Sequence, residues 1–327
     1  MKDEITSADD GAAKEPITLI PPPPSLPAPI RRGRRIFVIA LVVILSLVAS
    51  WLGIRFAVRQ YINSGPTVEE STAALHNDDA DTLRAAFRRH PGMATVKSKT
   101  TGDTGLHLAA RLGKPKAAGA LLDYGARLDV PNDAGFTPVE LAIRYDRAAV
   151  VDVFLDHGLK LDATFNEKLT PLTYAAANGR PAVVKLLLEH GAKANQGDAR
   201  AGETPLQQAV FWHVFMRNRN LLTEKWQKEM VRQMEQAEDY TFPDEESYAA
   251  VVTALLQAGA AVDSRDKEGE TPLDYAVENN CPLIVKALVA GGADVNAPDA
   301  AGRRPLAIAR AAGHQEVVKF LRAHGAR

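Results

Sequence analysis

A single cysteine, Cys281, in 327 residues is read as excluding an internal disulfide framework and a cysteine-based metal site alike. By register it falls in the turn between two helices, as a small residue tolerated in a loop. An excess of either charge is missing too. Lys and Arg number 39 against 40 Asp and Glu, and no basic stripe interleaved with aromatics occurs after residue 69, so a nucleic-acid partner is not expected. Catalytic signatures are lacking as well: there is no G-x-S-x-G, no H-E-x-x-H and no phosphate loop. None of the eight histidines is spaced to pair with a nucleophile or a metal ligand. Acid-bearing turns such as Asp294-Val295-Asn296 lack calcium-loop spacing. The expectation is a chain without catalysis, cofactor or metal, whose 46% hydrophobic content still suits a folded core.

What is present is punctuation. In Lys168 to Asn195, Thr170 is an N-cap and Pro171 opens a helix at the position where its missing N–H costs nothing. Leu172, Ala175 and Ala176 then give that helix one narrow apolar face, and Gly179 ends it. Pro181 opens a second helix with a wide apolar face of Val183, Val184, Leu186, Leu187 and Leu188, stopped at Gly191. One such hairpin cannot bury both faces alone.

The same signal returns. Equivalents of Thr170 are Thr104, Thr137, Thr204, Thr271 and, in the last copy, Arg304, at successive spacings of 33, 33, 34, 67 and 33 residues. Copies close at Gly125-Ala126, Gly158-Leu159, Gly191-Ala192, Gly259-Ala260, Gly292-Ala293 and Gly325-Ala326. A 33-residue period carrying T-P-L-x-x-A, a glycine, then V-V-x-L-L-L-x-x-G-A-x-x-N resembles the ankyrin repeat. The fold class expected is all-α: an ankyrin-repeat solenoid of about seven helix-turn-helix repeats, preceded by one transmembrane helix and a disordered N-terminus. Only the first strong copy keeps the family's histidine, His107; the others carry Glu140, Thr173, Gln207, Asp274 and Ala307, which predicts non-uniform helix starts. Gly105 in place of proline and Arg304 in place of threonine predict looser starts at both ends.

Ahead of the repeats, residues 1–35 form a Pro-rich and then basic segment expected to be disordered. Arg31, Arg32, Arg34 and Arg35 lead into Ile36–Ile54, nineteen uncharged residues that as a helix rise about 28 Å, enough to cross a lipid bilayer. The span is placed at 36–58, with Trp51 and Tyr61 towards one interface. Four basic residues before it against Arg55 and Arg59 after it predict a single-pass protein with a cytoplasmic N-terminus and an extracytoplasmic, in a bacterium periplasmic, repeat domain. A poor cleavage site at Val48-Ala49-Ser50-Trp51 favours an uncleaved anchor over a secretory signal. Residues 59–68 are a short tether, and the repeat domain runs over 69–327. Its first copy, degenerate at 69–100, is expected to seal the stack with Asp78, Asp79, Arg84, Arg88 and Arg89 on a polar outer face.

The doubled spacing after Thr204 places 34 extra residues between the two helices of one repeat, a helical insertion at about 213–247. Leu222, Trp226, Met230 and Met234 recur there every four residues, and either pack on a neighbouring helix or help to bind a partner. The resemblance implies a concave surface, lined by first helices and loops, that binds another protein. By register its candidate residues are Arg111, Arg144, Tyr145, Phe211 and Trp212, joined by Phe215, Trp226 and Met230 of the insertion; Phe136, Lys168, Lys267 and Arg303 are loop-tip candidates. The function expected is a membrane-anchored, non-catalytic protein-interaction scaffold or adaptor. The alternative is an inhibitor or immunity-like binder of one extracytoplasmic enzyme or toxin, using the insertion.

Overall fold

The computed structural model describes residues 66–165, 169–198, 202–217 and 241–327. The segments expected to be disordered and to span a membrane, and Trp226, Met230 and Lys168, lie outside the described residues. The chain divides into residues 1–41 and 42–327, and all the structure below belongs to the second unit. Among the described residues there are fourteen α-helices, a short 3-10 helix at Pro91–Thr95 and no strand. None of those helices is long and apolar enough to cross a membrane.

The helices pair into hairpins: α1 (Pro66–His76) with α2 (Ala80–Arg89), α3 (Gly105–Leu112) with α4 (Pro115–Asp123), α5 (Pro138–Arg144) with α6 (Ala148–Asp156), and α7 (Pro171–Ala177) with α8 (Pro181–Glu189). They continue as α9 (Pro205–Arg217) with α10 (Glu245–Gln257), α11 (Pro272–Glu278) with α12 (Pro282–Ala290), and α13 (Pro305–Ala311) with α14 (Gln315–Ala323). Each first helix packs on the first helix of the next hairpin, and each second helix on the next second helix. This is the nearest-neighbour stacking of a solenoid.

The sequence pattern explains the packing. Leu106, Val139, Leu172, Leu206, Leu273 and Leu306, two residues after each cap position, are all buried, as is the alanine three residues further on in every copy. On the second helices the repeating Val-Val-x-x-Leu text, as in Val183, Val184 and Leu187, is buried likewise. Full burial of each such side chain stabilises by about 1.5–3 kcal/mol, and most of it is gained only when the neighbouring hairpin is in place.

The helix starts are more uniform than their sequences suggest. His107 Nδ1 lies 3.0 Å from the Thr104 N–H and 2.8 Å from its hydroxyl, Glu140 accepts from the N–H and hydroxyl of Thr137 at 2.7 and 2.8 Å, and Asp274 does the same for Thr271 at 2.9 and 2.8 Å. Gln207 accepts from Thr204 at 2.8 and 3.2 Å, while Thr173 exchanges a hydroxyl hydrogen bond with Thr170. The capping box closes at His107, Glu140, Gln207 and Asp274, whose side chains all reach the threonine N–H, but not at Thr173. The starts are therefore alike in four copies and differ, as expected, in those of Thr170 and Arg304, while Gly105 does not loosen α3. Arg304, by contrast, makes no side-chain cap.

His107 and Gln207 share a second task. Because its Nδ1 accepts from Thr104, His107 donates from Nε2 to the Phe136 carbonyl of the next repeat at 3.0 Å, and burial holds its pKa below the ordinary value, keeping the ring neutral. Gln207 donates from its amide to the Ser264 carbonyl at 3.2 Å. Both side chains cap their own helix and tie it to the neighbour.

Between the paired helices the chain needs a left-handed residue. Gly113, Gly179 and Gly313 supply it in three copies, but Asp78, Asp146 and Asn280 take it at φ 57°, 54° and 52°. Asp78 compensates by accepting from the Ala117 N–H of the next hairpin at 2.8 Å, and Asp146 from that of Val183 at 3.3 Å. Asp78 thus faces inward along the stack, as does Arg84, which pairs with Asp123 at 3.1 Å; Asp79 caps α2. The outer-face expectation is corrected for Asp78 and Arg84, whereas Asp79 is exposed.

Candidate protein-binding surface

The seventh residue after each cap position varies between copies, and its exposure changes along the stack. Arg111, Arg144 and Ala177 are buried, Phe211 is half-buried, and Glu278 and Ala311 are exposed. Arg111, only 3% exposed, pairs with Asp103 at 3.5 Å, and Asp103 accepts from the Asn132 amide at 2.6 Å. Arg144, 2% exposed, lies over the ring of Phe136 at 5.0 Å. Phe136 is itself buried rather than a solvent-facing loop tip. Both arginines therefore hold loops in place and offer little contact area. In each case the partner sits eight residues earlier, and that spacing is the signal that could have revealed it.

Glu140 is the one acid beside Arg144 in this layer, and burial raises its pKa above the ordinary value despite the two hydrogen bonds from Thr137. Tyr145, the C-cap of α5, is half-buried.

The thirteen residues of α9 run almost two turns past the end of its seven-residue counterparts α5, α7, α11 and α13. That extension carries the densest aromatic cluster on the first helices. Trp212 is 6% exposed and stands edge-on to both Phe211 and Phe215, at centroid distances of 6.0 and 5.4 Å. Its indole N–H donates to Gln208 at 2.8 Å, and the Gln208 amide in turn donates to Glu203 at 2.6 Å. Trp212 is an anchored wedge, so the half-buried Phe211 and Phe215 are the parts of the cluster with surface to offer. The register argument placed Trp212 at the surface because in a seven-residue helix the eighth residue after the cap has left the helix; in α9 it has not.

The chain returning from the insertion covers the neighbouring hairpin. Tyr248 is fully buried and donates from its hydroxyl to the Ala177 carbonyl at 3.0 Å, while Arg180 donates to the Thr241 carbonyl at 3.2 Å. A Cβ on Gly179 would stand 2.8 Å from both Pro243 and the Tyr248 ring. Every residue of α7 is consequently buried, and the variable position Ala177 is unavailable to a partner. Neither Tyr248 nor Arg180 was singled out by sequence, and Gly179 only as a helix end, since their contact spans the insertion.

Cys281 lies in the turn between α11 and α12, where its register put it, and is fully buried there. His157, His190 and His324 are the C-caps of α6, α8 and α14. His157 and His324 donate from Nδ1 to the carbonyl four residues back, at 2.8 and 2.9 Å, which accounts for them as helix ends.

Similarity to known proteins agrees with this architecture. A family model described as "Ankyrin repeats (3 copies)" matches residues 71–165, 159–222 and 245–327. Among solved structures, the ankyrin repeat domain of Bcl-3, described as a unique member of the IkappaB protein family, is 25% identical, with a TM-score of 0.52 over 77% of this chain and 97% of that one. The human ASB11 ankyrin repeat domain is 21% identical, with a TM-score of 0.52 over 76% of this chain and 96% of that one. No curated protein matches the chain in sequence. With the family match covering well over half of its residues and the hairpins stacked as such repeats stack, the chain belongs to the ankyrin-repeat family.

Proposed function

We propose that this chain is a membrane-anchored, non-catalytic interaction protein that docks another protein on the extended helix α9. The observation that carries the reading is the aromatic cluster of α9, in which Phe211 and Phe215 flank a Trp212 already fixed by its hydrogen bond to Gln208. Aromatic anchors on a rigid helix lose little entropy on binding, so a few of them supply most of the affinity. Tyr145, the C-cap of α5 two hairpins before α9 and at the equivalent of Trp212, is a further half-buried aromatic candidate. Ile36–Ile54, preceded by four arginines, supports anchoring in the bilayer with the repeats outside the cytoplasm.

A double variant, Phe211→Ala with Phe215→Ala, in the detergent-solubilised full chain is expected to lower capture of its partner at least tenfold with the helix content unchanged. Equal capture would remove α9 from the interface. A reporter active only outside the cytoplasm, fused after Arg327, tests the anchoring orientation, and a silent fusion would reverse it. The second reading, a specific inhibitor or immunity-like binder, is favoured by the way the insertion closes over α7 while extending α9. Under it, deleting 213–247 abolishes binding, whereas under the general scaffold reading binding survives in reduced form.

A further inference from the structure

The two roots of the insertion meet at a group of side chains that the repeat itself does not require. His213 lies in the extension of α9, Glu245 is the first residue of α10, and Cys281 precedes α12 in the next repeat. One potential ligand atom from each lies within 4.8 Å of the other two. His213 is only 5% exposed, yet among the described residues its Nε2 has no hydrogen-bond partner, a cost that buried polar groups normally avoid. Its ring is held against Tyr248 at 5.1 Å, so it is not free to turn out to solvent. Cys281 is fully buried and is the sole thiol of the chain.

We propose that His213, Glu245 and Cys281 bind one divalent transition-metal ion of the zinc class, which pins both roots of the insertion to the following repeat. A thiolate, an imidazole and a carboxylate are the donor set that a borderline-soft ion accepts, whereas calcium and magnesium take oxygen donors. Tetrahedral bonds of about 2.0–2.3 Å put ligand atoms about 3.3–3.8 Å apart, so the group has to close by about 1 Å to seat the ion. Water completes the fourth position. As the sulfur–metal bond forms, the Cys281 thiol proton passes to solvent and nothing is oxidised or reduced.

Three neighbours bear on this site. The Leu283 N–H donates to one Glu245 oxygen at 2.8 Å and orients the carboxylate. The thiol of Cys281 points to the Asn279 carbonyl at 3.5 Å. Arg217 lies 3.8 Å from the sulfur and 4.0 Å from the Glu245 carboxylate, and also donates to the Asn280 carbonyl. Its positive charge occupies the ground that a metal would take. Being at the exposed end of α9, it is able to swing aside, and without it the ion should bind more tightly.

The test uses the untagged full chain in mild detergent, stripped with a chelator and titrated with cobalt(II). One equivalent should give the thiolate-to-cobalt charge-transfer band in the near ultraviolet together with tetrahedral d–d absorption. With one thiol in the chain, that band reports Cys281 alone. Cys281→Ser should abolish it, His213→Gln should weaken cobalt binding at least tenfold, and Arg217→Gln should tighten it. Independently of whether these variants fold, one equivalent of zinc(II) should slow alkylation of Cys281 in the wild-type chain at least tenfold during partial unfolding in urea. Absence of a thiolate band in the folded wild-type chain, cobalt affinity unchanged in His213→Gln, or alkylation indifferent to zinc would each overturn the proposal.

Discussion

The hairpins α5–α6 and α9–α10 begin from the same text, threonine then proline then an aliphatic residue, and for two turns they have the same structure. Beyond that they diverge. In α5 the helix ends at Arg144, and everything it carries is committed to the stack: Glu140 to its cap, Arg144 to Phe136, Leu141 and Ile143 to the core. The longer α9 adds His213, Phe215 and Arg217, which have no equivalents in the shorter first helices, and its partner α10 begins with a turn that reaches back over α7. The difference separates what any ankyrin repeat must do from what belongs to this chain. Regular hairpins consume their side chains in stacking, and the expanded one has side chains left over.

The sharpest way to break that comparison is at Tyr248. Its ring fills the space over Gly179 and its hydroxyl satisfies the Ala177 carbonyl, so Tyr248→Ala should cost about 3–5 kcal/mol, comparable to truncating a regular core aromatic such as Phe154. Equilibrium urea unfolding of the full chain in detergent reads this. A loss below about 1 kcal/mol would mean that the returning chain only rests on α7.

Next in size is the cap. Thr137→Ala removes the hydroxyl that accepts from the Glu140 N–H, leaving the half of the capping box made by the backbone N–H of residue 137, and should cost about 1–2 kcal/mol in the same assay. In the last repeat Arg304→Thr should do the reverse and add about 0.5–1 kcal/mol, because that helix start has no side-chain cap at present. Equal responses at the two positions would show that capping contributes nothing to either hairpin.

The smallest expected effect concerns pH. Glu140 and Gln207 occupy the same register and make the same two hydrogen bonds to their threonines, but only Glu140 can ionise. Burial raises the Glu140 pKa above its ordinary 4.5. Below 4.5 the group is protonated in both folded and unfolded chains; as the pH rises from there through the raised value, the unfolded chain ionises first and stability is lost. Glu140→Gln should therefore gain on the wild type between pH 4 and neutrality and run parallel to it above. Thermal unfolding of the two chains across that range checks it, and a constant difference at every pH would contradict the burial effect.

Much of this fold was legible because the repeat announces each helix twice, with a capping threonine before a proline and with a glycine at the end. The phase of Leu172, Ala175 and Ala176 already gave the buried face of α7. What the sequence hid falls under two physical headings. Substitutions with equivalent hydrogen-bonding capacity, such as Gln207 for His107 or Asp146 for a glycine, look like departures but keep the geometry. Contacts across the insertion, Tyr248 to Ala177 and His213 to Cys281, depend on a chain path that periodicity cannot supply. At the candidate surface, Phe211, Phe215 and Tyr145 stand half-buried, whereas Arg111 and Arg144 are taken up by Asp103 and Phe136, each eight residues earlier, and Trp212 by the extension of α9, which the register argument did not include.

The central claim is that the aromatic cluster of α9 is where a protein partner docks. A photo-crosslinking residue placed in turn at positions 211, 215 and 319 of the full chain in its native membrane tests it most directly, position 319 lying on the exposed side of the terminal helix α14. Docking on α9 predicts one discrete protein adduct from 211 and 215 and none from 319. An adduct from 319 with none from 211 or 215 would contradict it.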